Sequence, residues 1–138
     1  MSDWLIPYIA FNGNCEEAVK FYQQVLGGEI HILRFGDAPP NPNFSIPDNF
    51  KNLVLHAELR NNGHVIRFSD IFPNAPYSTG NNISFSLEFD TTEETSAIFE
   101  ALSEGGNVEV ELQETHFSPL YGKFSDKFGM VWQLVCKA

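Results

Sequence analysis

Hydrophobic and polar positions along the chain fall into segments that predict strands and helices in a repeated order. In the first half, strand-like apolar patterns occur at residues 5–11, 29–35, 53–59 and 64–71. Residues 15–26 predict a helix whose apolar stripe consists of Ala18, Phe21, Tyr22, Val25 and Leu26. The pair Asn62-Gly63 predicts a tight turn between the last two strands. The first half is therefore predicted to run strand, helix, strand, strand, strand.

The second half of the chain repeats this order. Strands are predicted at residues 83–89, 108–117, 121–125 and 130–136. The helix between the first two has an apolar stripe that consists of Ala97, Ile98, Ala101 and Leu102. Strict alternation in the first of these strands places Ser84, Ser86 and Glu88 on one face, opposite a face of Phe and aliphatic residues. We expect the polar face to line a wet cavity and the apolar face to pack beneath the helix.

Both predicted helices begin with capping-box spacing, from Asn14 to Glu17 and from Thr91 to Glu94. The two capping residues lie 77 positions apart, which indicates an internal repeat of about half the chain. Mixed strands and helices in this order predict an α+β fold. The predicted organisation is one domain, 1–138, made of two βαβββ modules at 1–75 and 80–138.

Charge and composition narrow the classes of function. With 8 basic and 18 acidic side chains, the net charge is −10, which disfavours nucleic acid and anionic membrane as partners. No apolar run reaches the roughly 18–20 residues that span a bilayer, and the N-terminal residues lack a signal-peptide pattern. We therefore expect a cytoplasmic protein whose two cysteines, Cys15 and Cys136, stay reduced.

Several segments carry a family resemblance that covers nearly the whole chain. They are Tyr8-Ile9-Ala10-Phe11-Asn12-Gly13-Asn14-Cys15, His56-Ala57-Glu58-Leu59, Phe68-Ser69-Asp70, Gln113-Glu114-Thr115 and Asp126-Lys127-Phe128-Gly129. The chain resembles the PhnB-like branch of the vicinal oxygen chelate superfamily, which includes glyoxalase I, extradiol dioxygenases and bleomycin-resistance proteins. This resemblance implies tandem βαβββ modules that form a cupped mixed sheet, the glyoxalase/bleomycin resistance/dioxygenase fold, and a homodimer.

The resemblance also implies four positions for metal ligands, which are His, Gln or Glu in the metal enzymes of the superfamily. Here those positions correspond to Pro7, Arg67, Ser84 and Gln133. Proline offers no side-chain donor, arginine is a fixed cation and serine binds divalent metals poorly. We therefore expect no metal cofactor, and the departure leaves the fold unaffected because fold does not determine function.

A metal-independent binder of a small polar or anionic molecule, similar to the bleomycin-resistance side of the superfamily, is the favoured hypothesis. The residues predicted to contact the ligand are His56, Glu58, Arg67, Ser84, Ser86, His116 and Gln133. A guanidinium that faces a cavity can bind a carboxylate or phosphate bidentately. The competing interpretation of Arg67 is an internal ion pair with Glu58 or Glu88. His56 could likewise be a base oriented by Glu58 or a hydrogen-bonded residue of the sheet.

Other functions stay open. A divalent metal at a shifted site of His56, Glu58, His116 and Gln133 would support a lyase, isomerase or dioxygenase. A third hypothesis is an interaction or scaffold protein. Relatives in this branch are sometimes labelled demethylubiquinone methyltransferase-like, but we expect no methyl transfer because no segment resembles a nucleotide-type loop for S-adenosylmethionine.

Three further features have two interpretations each. The Pro- and Asn-rich segment at residues 37–50 is predicted to be either a lid or a dimer arm. Asp70 is predicted to form a turn, with an acid at the rim of the cup as the alternative. Cys15 lies at a helix start, where the helix dipole would lower the thiol pKa, although a small residue at a helix start is the simpler interpretation.

Overall fold

The computed structural model describes residues 4–39, 43, 45–72 and 74–138, and the chain divides into two compact units, 1–77 and 78–138. Each unit contains a four-stranded mixed sheet and one long helix in the order β-α-β-β-β, so the fold is α+β as predicted. Among the described residues, no helix is long and apolar enough to cross a membrane.

The first unit places its helix on one face of the sheet β1-β4-β3-β2, in which β1 and β4 are parallel. Its elements are β1 (Tyr8–Phe11), α1 (Cys15–Leu26), β2 (Glu29–Arg34), β3 (Val54–Asn61) and β4 (His64–Asp70). The predicted turn is present, with positive φ angles of 52° at Asn62 and 85° at Gly63. Two short 3₁₀ helices follow β2: Phe35–Asp37 begins at the last residue of the strand predicted at 29–35, and Asp48–Phe50 ends the segment predicted to be a loop.

The second unit has the equivalent sheet order, β5-β8-β7-β6, with β5 and β8 parallel. Its elements are β5 (Phe85–Phe89), α2 (Thr92–Ser103), β6 (Asn107–Gln113), β7 (Tyr121–Ser125) and β8 (Val131–Cys136). The parallel pairing in both units requires a crossover between the paired strands, and the helix forms part of it. Each unit therefore has one sheet face beneath its helix and one face directed away from it, which we call the open face.

Aromatic side chains form the core beneath each helix. In the first unit the ring of Phe68 stacks on Tyr22 and Phe11, with centroid distances of 5.9 and 6.3 Å. In the second unit Phe99 packs edge-on against Phe124 at 5.0 Å. All five side chains are buried, and each Å² of apolar surface they remove from water stabilises the sheet–helix contact by about 25 cal/mol.

The predicted apolar stripes of the helices are only partly correct. The buried positions of α2 are Thr95, Phe99 and Leu102, whereas Ala97 is exposed and Ile98 and Ala101 are half-buried. Thr95 can be buried at little cost because its hydroxyl donates to the carbonyl of Thr91 at 2.8 Å. The hydroxyl therefore has a hydrogen-bond partner inside the helix. In α1, Ala18 and Tyr22 are buried as predicted, together with Cys15 and Val19, while Phe21, Val25 and Leu26 are half-buried.

The two helix starts differ. Thr91 caps α2 as predicted, because its hydroxyl accepts from the Glu94 amide at 3.1 Å. The prediction for Asn14 is wrong, since its side chain makes no capping hydrogen bond. The amides of Gly13 and Cys15 instead donate to one carboxylate oxygen of Asp70, at 2.9 and 3.0 Å.

Asp70 therefore has a structural role that neither interpretation of the sequence anticipated. It is 4 % exposed at the end of β4, and its second oxygen accepts from the Val54 amide at 2.9 Å. One buried carboxylate thus joins the start of α1, the end of β4 and the start of β3. A carboxylate at a helix N-terminus also interacts favourably with the helix dipole.

Candidate functional site

The open face of the first sheet carries the charged and aromatic residues of the candidate site. Arg67 on β4 is flanked in register by Tyr8 on β1 and by Glu58 on β3. His56 lies two residues before Glu58 on the same strand, so alternation places both side chains on this face. The four residues Tyr8, His56, Glu58 and Arg67 are named the first-face cluster below.

Glu58 is the electrostatic centre of the first-face cluster. Its carboxylate accepts from Arg67 Nε at 3.0 Å and from Arg60 Nη2 at 3.1 Å, and His56 Nε2 lies 3.9 Å away. Desolvation alone would raise the pKa of Glu58, but the hydrogen bonds from Arg67 and Arg60 outweigh it and lower the pKa overall. The carboxylate is therefore ionised at neutral pH, and the structure shows the Arg67–Glu58 ion pair that the sequence left as one of two interpretations.

Arg67 keeps hydrogen-bonding capacity despite this ion pair. Its side chain is 37 % exposed, and the described residues accept a hydrogen bond only from its Nε. A guanidinium has five N–H donors in a planar fork. The terminal Nη groups of Arg67 are therefore available to a ligand or to solvent.

Tyr8 is a residue of this face that the sequence analysis missed. Its hydroxyl lies 3.4 Å from His56 Nδ1, the two ring centroids are 5.9 Å apart, and the Tyr8 side chain is 54 % exposed. Pro7, the position implied by the family resemblance, precedes β1, and its carbonyl accepts from the Arg67 amide at 2.9 Å. Tyr8 pairs with Arg67 in the parallel register, and that register is not visible in the local sequence.

The open face of the second sheet carries an uncharged hydrogen-bonded chain. The Tyr121 hydroxyl donates to Gln133 Oε1 at 2.6 Å, and Gln133 Nε2 donates to Ser84 Oγ at 2.7 Å. Ser86 pairs with Gln133 in the register of β5 and β8 and is exposed. The structure thus brings together three of the predicted contact residues, Ser84, Ser86 and Gln133, and adds Tyr121.

His116 is not placed where the sequence predicted. The strand expected over residues 108–117 ends at Gln113, so His116 and Glu114 do not share a strand face. The chain turns at Thr115, whose hydroxyl accepts from the Ser118 amide at 3.1 Å, and this turn ends the strand. His116 is exposed and packs edge-on against Phe117, with 5.2 Å between ring centroids.

The donors at the family's metal positions do not fit a divalent cation. Arg67 is a cation already paired with Glu58, Gln133 is bonded to Ser84 and Tyr121, and Pro7 has no side-chain donor. Within residues 4–39, 43, 45–72 and 74–138, no group of three or more His, Cys, Asp or Glu side chains is arranged to hold a metal ion. A cation beside the Arg67 guanidinium would also be repelled by it.

Cys15 is chemically protected at the start of α1. It is fully buried, and desolvation, followed by the charges of Asp70 and Glu16, raises the pKa of its thiol far above the ordinary value. The activation by the helix dipole considered from the sequence is therefore overcome by burial. Both cysteines are free thiols.

The segment at residues 37–50 is described in part, and its roles as lid or dimer arm stay predictions. Within the described residues, Phe50 lines a cavity of the first unit together with residues from the ends of β1 and β4. No residue of the first-face cluster lines that cavity.

The comparisons with known proteins all indicate the same family. The family model for 3-demethylubiquinone-9 3-methyltransferase matches residues 3–135. Protein YjdN from Escherichia coli (strain K12) is 32% identical over 140 residues, which cover 94% of this chain and 92% of the relative. Protein PA1353 from Pseudomonas aeruginosa has a crystal structure with 37% identity, coverage of 99% and 98%, and a TM-score of 0.88.

Two further structures relate the chain to the wider fold. The PhnB protein from Bacillus cereus is 26% identical, with 97% of this chain and 99% of that chain covered and a TM-score of 0.79. A glyoxalase/bleomycin resistance protein/dioxygenase from Nocardioides is 16% identical, with coverage of 99% and 85% and a TM-score of 0.54, and shares the fold alone. The resemblance drawn from the sequence is confirmed: the chain belongs to the PhnB-like, 3-demethylubiquinone-9 3-methyltransferase family and has the glyoxalase/bleomycin resistance/dioxygenase fold.

Proposed function

We propose that this chain is a metal-independent binder of a small polar or anionic molecule, and that Arg67 is its anion contact. The observation that carries the proposal is the ion pair of Arg67 with Glu58, in which the Nε of the half-buried guanidinium donates at 3.0 Å and the Nη groups make no hydrogen bond to the described residues. Charge-assisted bonds from guanidinium to carboxylate or phosphate are roughly twice as strong as neutral ones. A partly exposed guanidinium on a sheet face is thus suited to anion recognition.

Arg67 is a better candidate than Arg60, although both contact Glu58. Arg60 forms its ion pair with Glu58 and is also paired in register with a second acidic residue, Glu29 on β2. Arg67 has Tyr8 in register on its other side, so Glu58 is the carboxylate that balances it on the neighbouring strands. In a chain of net charge −10, this less compensated cation is where an anion would meet the weakest repulsion.

Tyr8 and His56 extend the proposed contact with further hydrogen-bonding groups. The Tyr8 hydroxyl and the His56 imidazole lie on the same face as Arg67 and are partly exposed. They would supply the directional hydrogen bonds that distinguish one anion from another. On the second open face we propose hydrogen-bonding contacts from Ser84, Ser86 and Gln133, where Tyr121 fixes the orientation of the Gln133 amide. His116, exposed on its turn, stays a proposed contact of this unit.

The anion contact can be tested with two matched charge-removing variants. Inorganic phosphate and pyruvate would be titrated into the wild type, Arg67→Gln and Arg60→Gln by isothermal calorimetry. We expect Arg67→Gln to weaken binding by about tenfold or more, the equivalent of one charge-assisted hydrogen bond, and Arg60→Gln to have a much smaller effect. Equal losses in both variants would mean that general surface charge, and not Arg67, attracts the anion.

Glu58→Gln gives an independent check in the opposite direction. Removing the carboxylate eliminates the internal competitor for Arg67, so we expect phosphate to bind several-fold more tightly, on the scale of a partly screened ion pair. Tighter binding in Glu58→Gln together with weaker binding in Arg67→Gln would indicate that the anion contacts Arg67 directly. Loss of binding in Glu58→Gln would contradict the role of Glu58 as a competitor and would favour Glu58 as a ligand contact, as predicted from the sequence.

The competing functions are tested on the same protein. Plasma mass spectrometry after dialysis against Ni, Zn, Mn and Fe would detect a stoichiometric ion, which would favour the metal-dependent lyase, isomerase or dioxygenase instead. Because the family description names a methyltransferase, S-adenosylmethionine would be added in a thermal-shift assay. We expect no stabilisation, and a saturable shift in melting temperature would overturn that expectation.

We further propose that the chain acts as a homodimer in the cytoplasm. The two free, buried thiols fit a reducing compartment. Light scattering coupled to size-exclusion chromatography would distinguish a particle of twice the 15.6 kDa chain mass from a monomer.

A further inference from the structure

The first unit contains a cavity that the proposed anion site does not use. It has a volume of about 500 Å³ and lies where the chain leaves β1 and β4 at their carboxyl ends, beside the start of α1. Cavities that bind small molecules are typically about 300–1,000 Å³ in volume. The cavity is therefore large enough for a compact organic ligand.

The chemistry of the lining is aromatic and uncharged. Three rings contribute, from Phe50, Phe72 and Tyr77, and two side-chain amides contribute, from Asn12 and Asn74. No lining residue among those the structure describes carries a charged side chain. A charged ligand would have to lose part of its hydration without an ionic partner, which is unfavourable, whereas a planar apolar ring would gain stacking and burial.

The walls of the cavity are held in place before any ligand arrives. Gly13 donates its amide to Asp70, and Leu53 and Ile71 directly adjoin Val54 and Asp70, the other members of the same buried hydrogen-bonded junction. The Ile71 amide also donates to the carbonyl of Phe11 at 2.8 Å. A preformed cavity costs a ligand less conformational free energy than one that must be ordered on binding.

The aromatic rings are positioned and still accessible. Phe72 packs edge-on against the buried Phe35 at 5.6 Å, and the Phe72 side chain is 50 % exposed. The Ala75 amide donates to the Phe72 carbonyl at 3.0 Å, which shapes the turn that carries Asn74. Tyr77 is also exposed in spite of its large apolar surface. Exposed aromatic surface that converges on one cavity is typical of a binding site.

We infer that this cavity binds a neutral molecule with a planar aromatic ring, held between Phe50, Phe72 and Tyr77, with a hydrogen-bonding group at its edge that reaches Asn12 or Asn74. This site is independent of Arg67 and of the anion proposed above.

The inference is tested with the neutral fluorescent amine N-phenyl-1-naphthylamine and the full-length chain. We expect a saturable fluorescence increase with one probe per chain. Phe72→Ala and Tyr77→Ala should each weaken binding by about tenfold, in line with the loss of one aromatic contact. Ala75→Trp, which fills the cavity, should abolish binding.

Two controls make the result specific. Phe117→Ala removes an equally exposed phenylalanine of the second unit, 52 % exposed, and should leave probe affinity unchanged. Arg67→Gln should also leave it unchanged, so that this inference and the proposed anion site succeed or fail separately. The anionic analogue 8-anilino-1-naphthalenesulfonate should bind more weakly than the neutral probe. Absence of saturable binding, equal loss in Phe117→Ala, or preference for the anionic dye would each overturn the inference.

Discussion

Replacing Asp70 with asparagine would test whether one buried carboxylate organises the first unit. Asparagine has nearly the same shape and keeps one carbonyl oxygen, so it can still accept from Gly13 and Cys15 in the geometry of the native oxygen. Its amide group cannot accept from Val54, whose N–H would then face another donor. The substitution therefore removes one hydrogen bond and the charge while it leaves packing almost unchanged.

The expected cost follows from these contacts. A hydrogen bond to a charged group contributes about 1.5–3 kcal/mol, and a buried donor without an acceptor costs about 1–3 kcal/mol. The lost interaction with the start of α1 adds about 0.3–1 kcal/mol. Because these contributions overlap, we expect Asp70→Asn to lower the free energy of unfolding by about 2–4 kcal/mol.

Urea denaturation followed by far-ultraviolet circular dichroism would measure this loss, and amide hydrogen exchange would locate it. In Asp70→Asn the amides of Gly13, Cys15 and Val54 should exchange faster. Asp126→Asn is the matched control, because Asp126 is also buried and accepts from the backbone amides of its own unit and from the Trp132 indole.

In Asp126→Asn, faster exchange should be confined to the second unit. The exposed Asp90→Asn should leave unfolding unchanged within error. A loss below about 0.5 kcal/mol in Asp70→Asn, or unchanged protection of the three amides, would refute the role assigned to Asp70.

Three further predictions follow from single residues. Neither Cys15 nor Cys136 should react with Ellman's reagent in the native protein at pH 8, because both are buried and the Cys15 thiol pKa is raised; rapid labelling without denaturant would contradict this. Arg67 and Arg60 lower the pKa of Glu58, so its contribution to stability should be present above about pH 4.3 and disappear as the pH falls through the lowered pKa. Urea titrations of wild type and Glu58→Gln should therefore differ at pH 7 and converge in acid, and a gap that persists in acid would exclude this linkage. Gly122→Ala should destabilise by about 1–3 kcal/mol, because its Cβ would overlap the rings and methyls of Phe99 and Leu112; an unchanged melting temperature would show that α2 can move aside.

Local sequence patterns predicted several elements with the bounds that the structure has. The bounds of α1, Cys15–Leu26, and of β7, Tyr121–Ser125, agree with the expected ranges, and the turn at Asn62-Gly63 adopts the positive φ angles that these residue types tolerate. The predicted cap of α1 is not formed. Asp70, far along the chain from the helix start, accepts from the amides of Gly13 and Cys15 on either side of Asn14.

The charged residues of the candidate site could be predicted from the sequence, whereas the place of Tyr8 beside them could not. The alternation of His56 and Glu58 on one strand, and the option of an Arg67–Glu58 ion pair, follow from the sequence because antiparallel neighbours joined by a short turn have a nearly fixed register. Tyr8 joins this face through the parallel pairing of β1 with β4, whose register is set by tertiary packing across a long crossover.

A shift of one residue in the β1–β4 register decides which side chain would face the proposed ligand. Family spacing selects Pro7, which has no polar side-chain atom, whereas the pairing of the strands places Tyr8 opposite Arg67. Since successive strand residues point to opposite faces, this difference exchanges an inert ring for a phenol beside a guanidinium and an imidazole. The position of Tyr8 also disfavours a metal beside Arg67, because the Tyr8 hydroxyl is directed to His56 and its strand neighbour is a fixed cation. Under the proposed function, recognition on this face would therefore depend on hydrogen bonds and on the charge of Arg67.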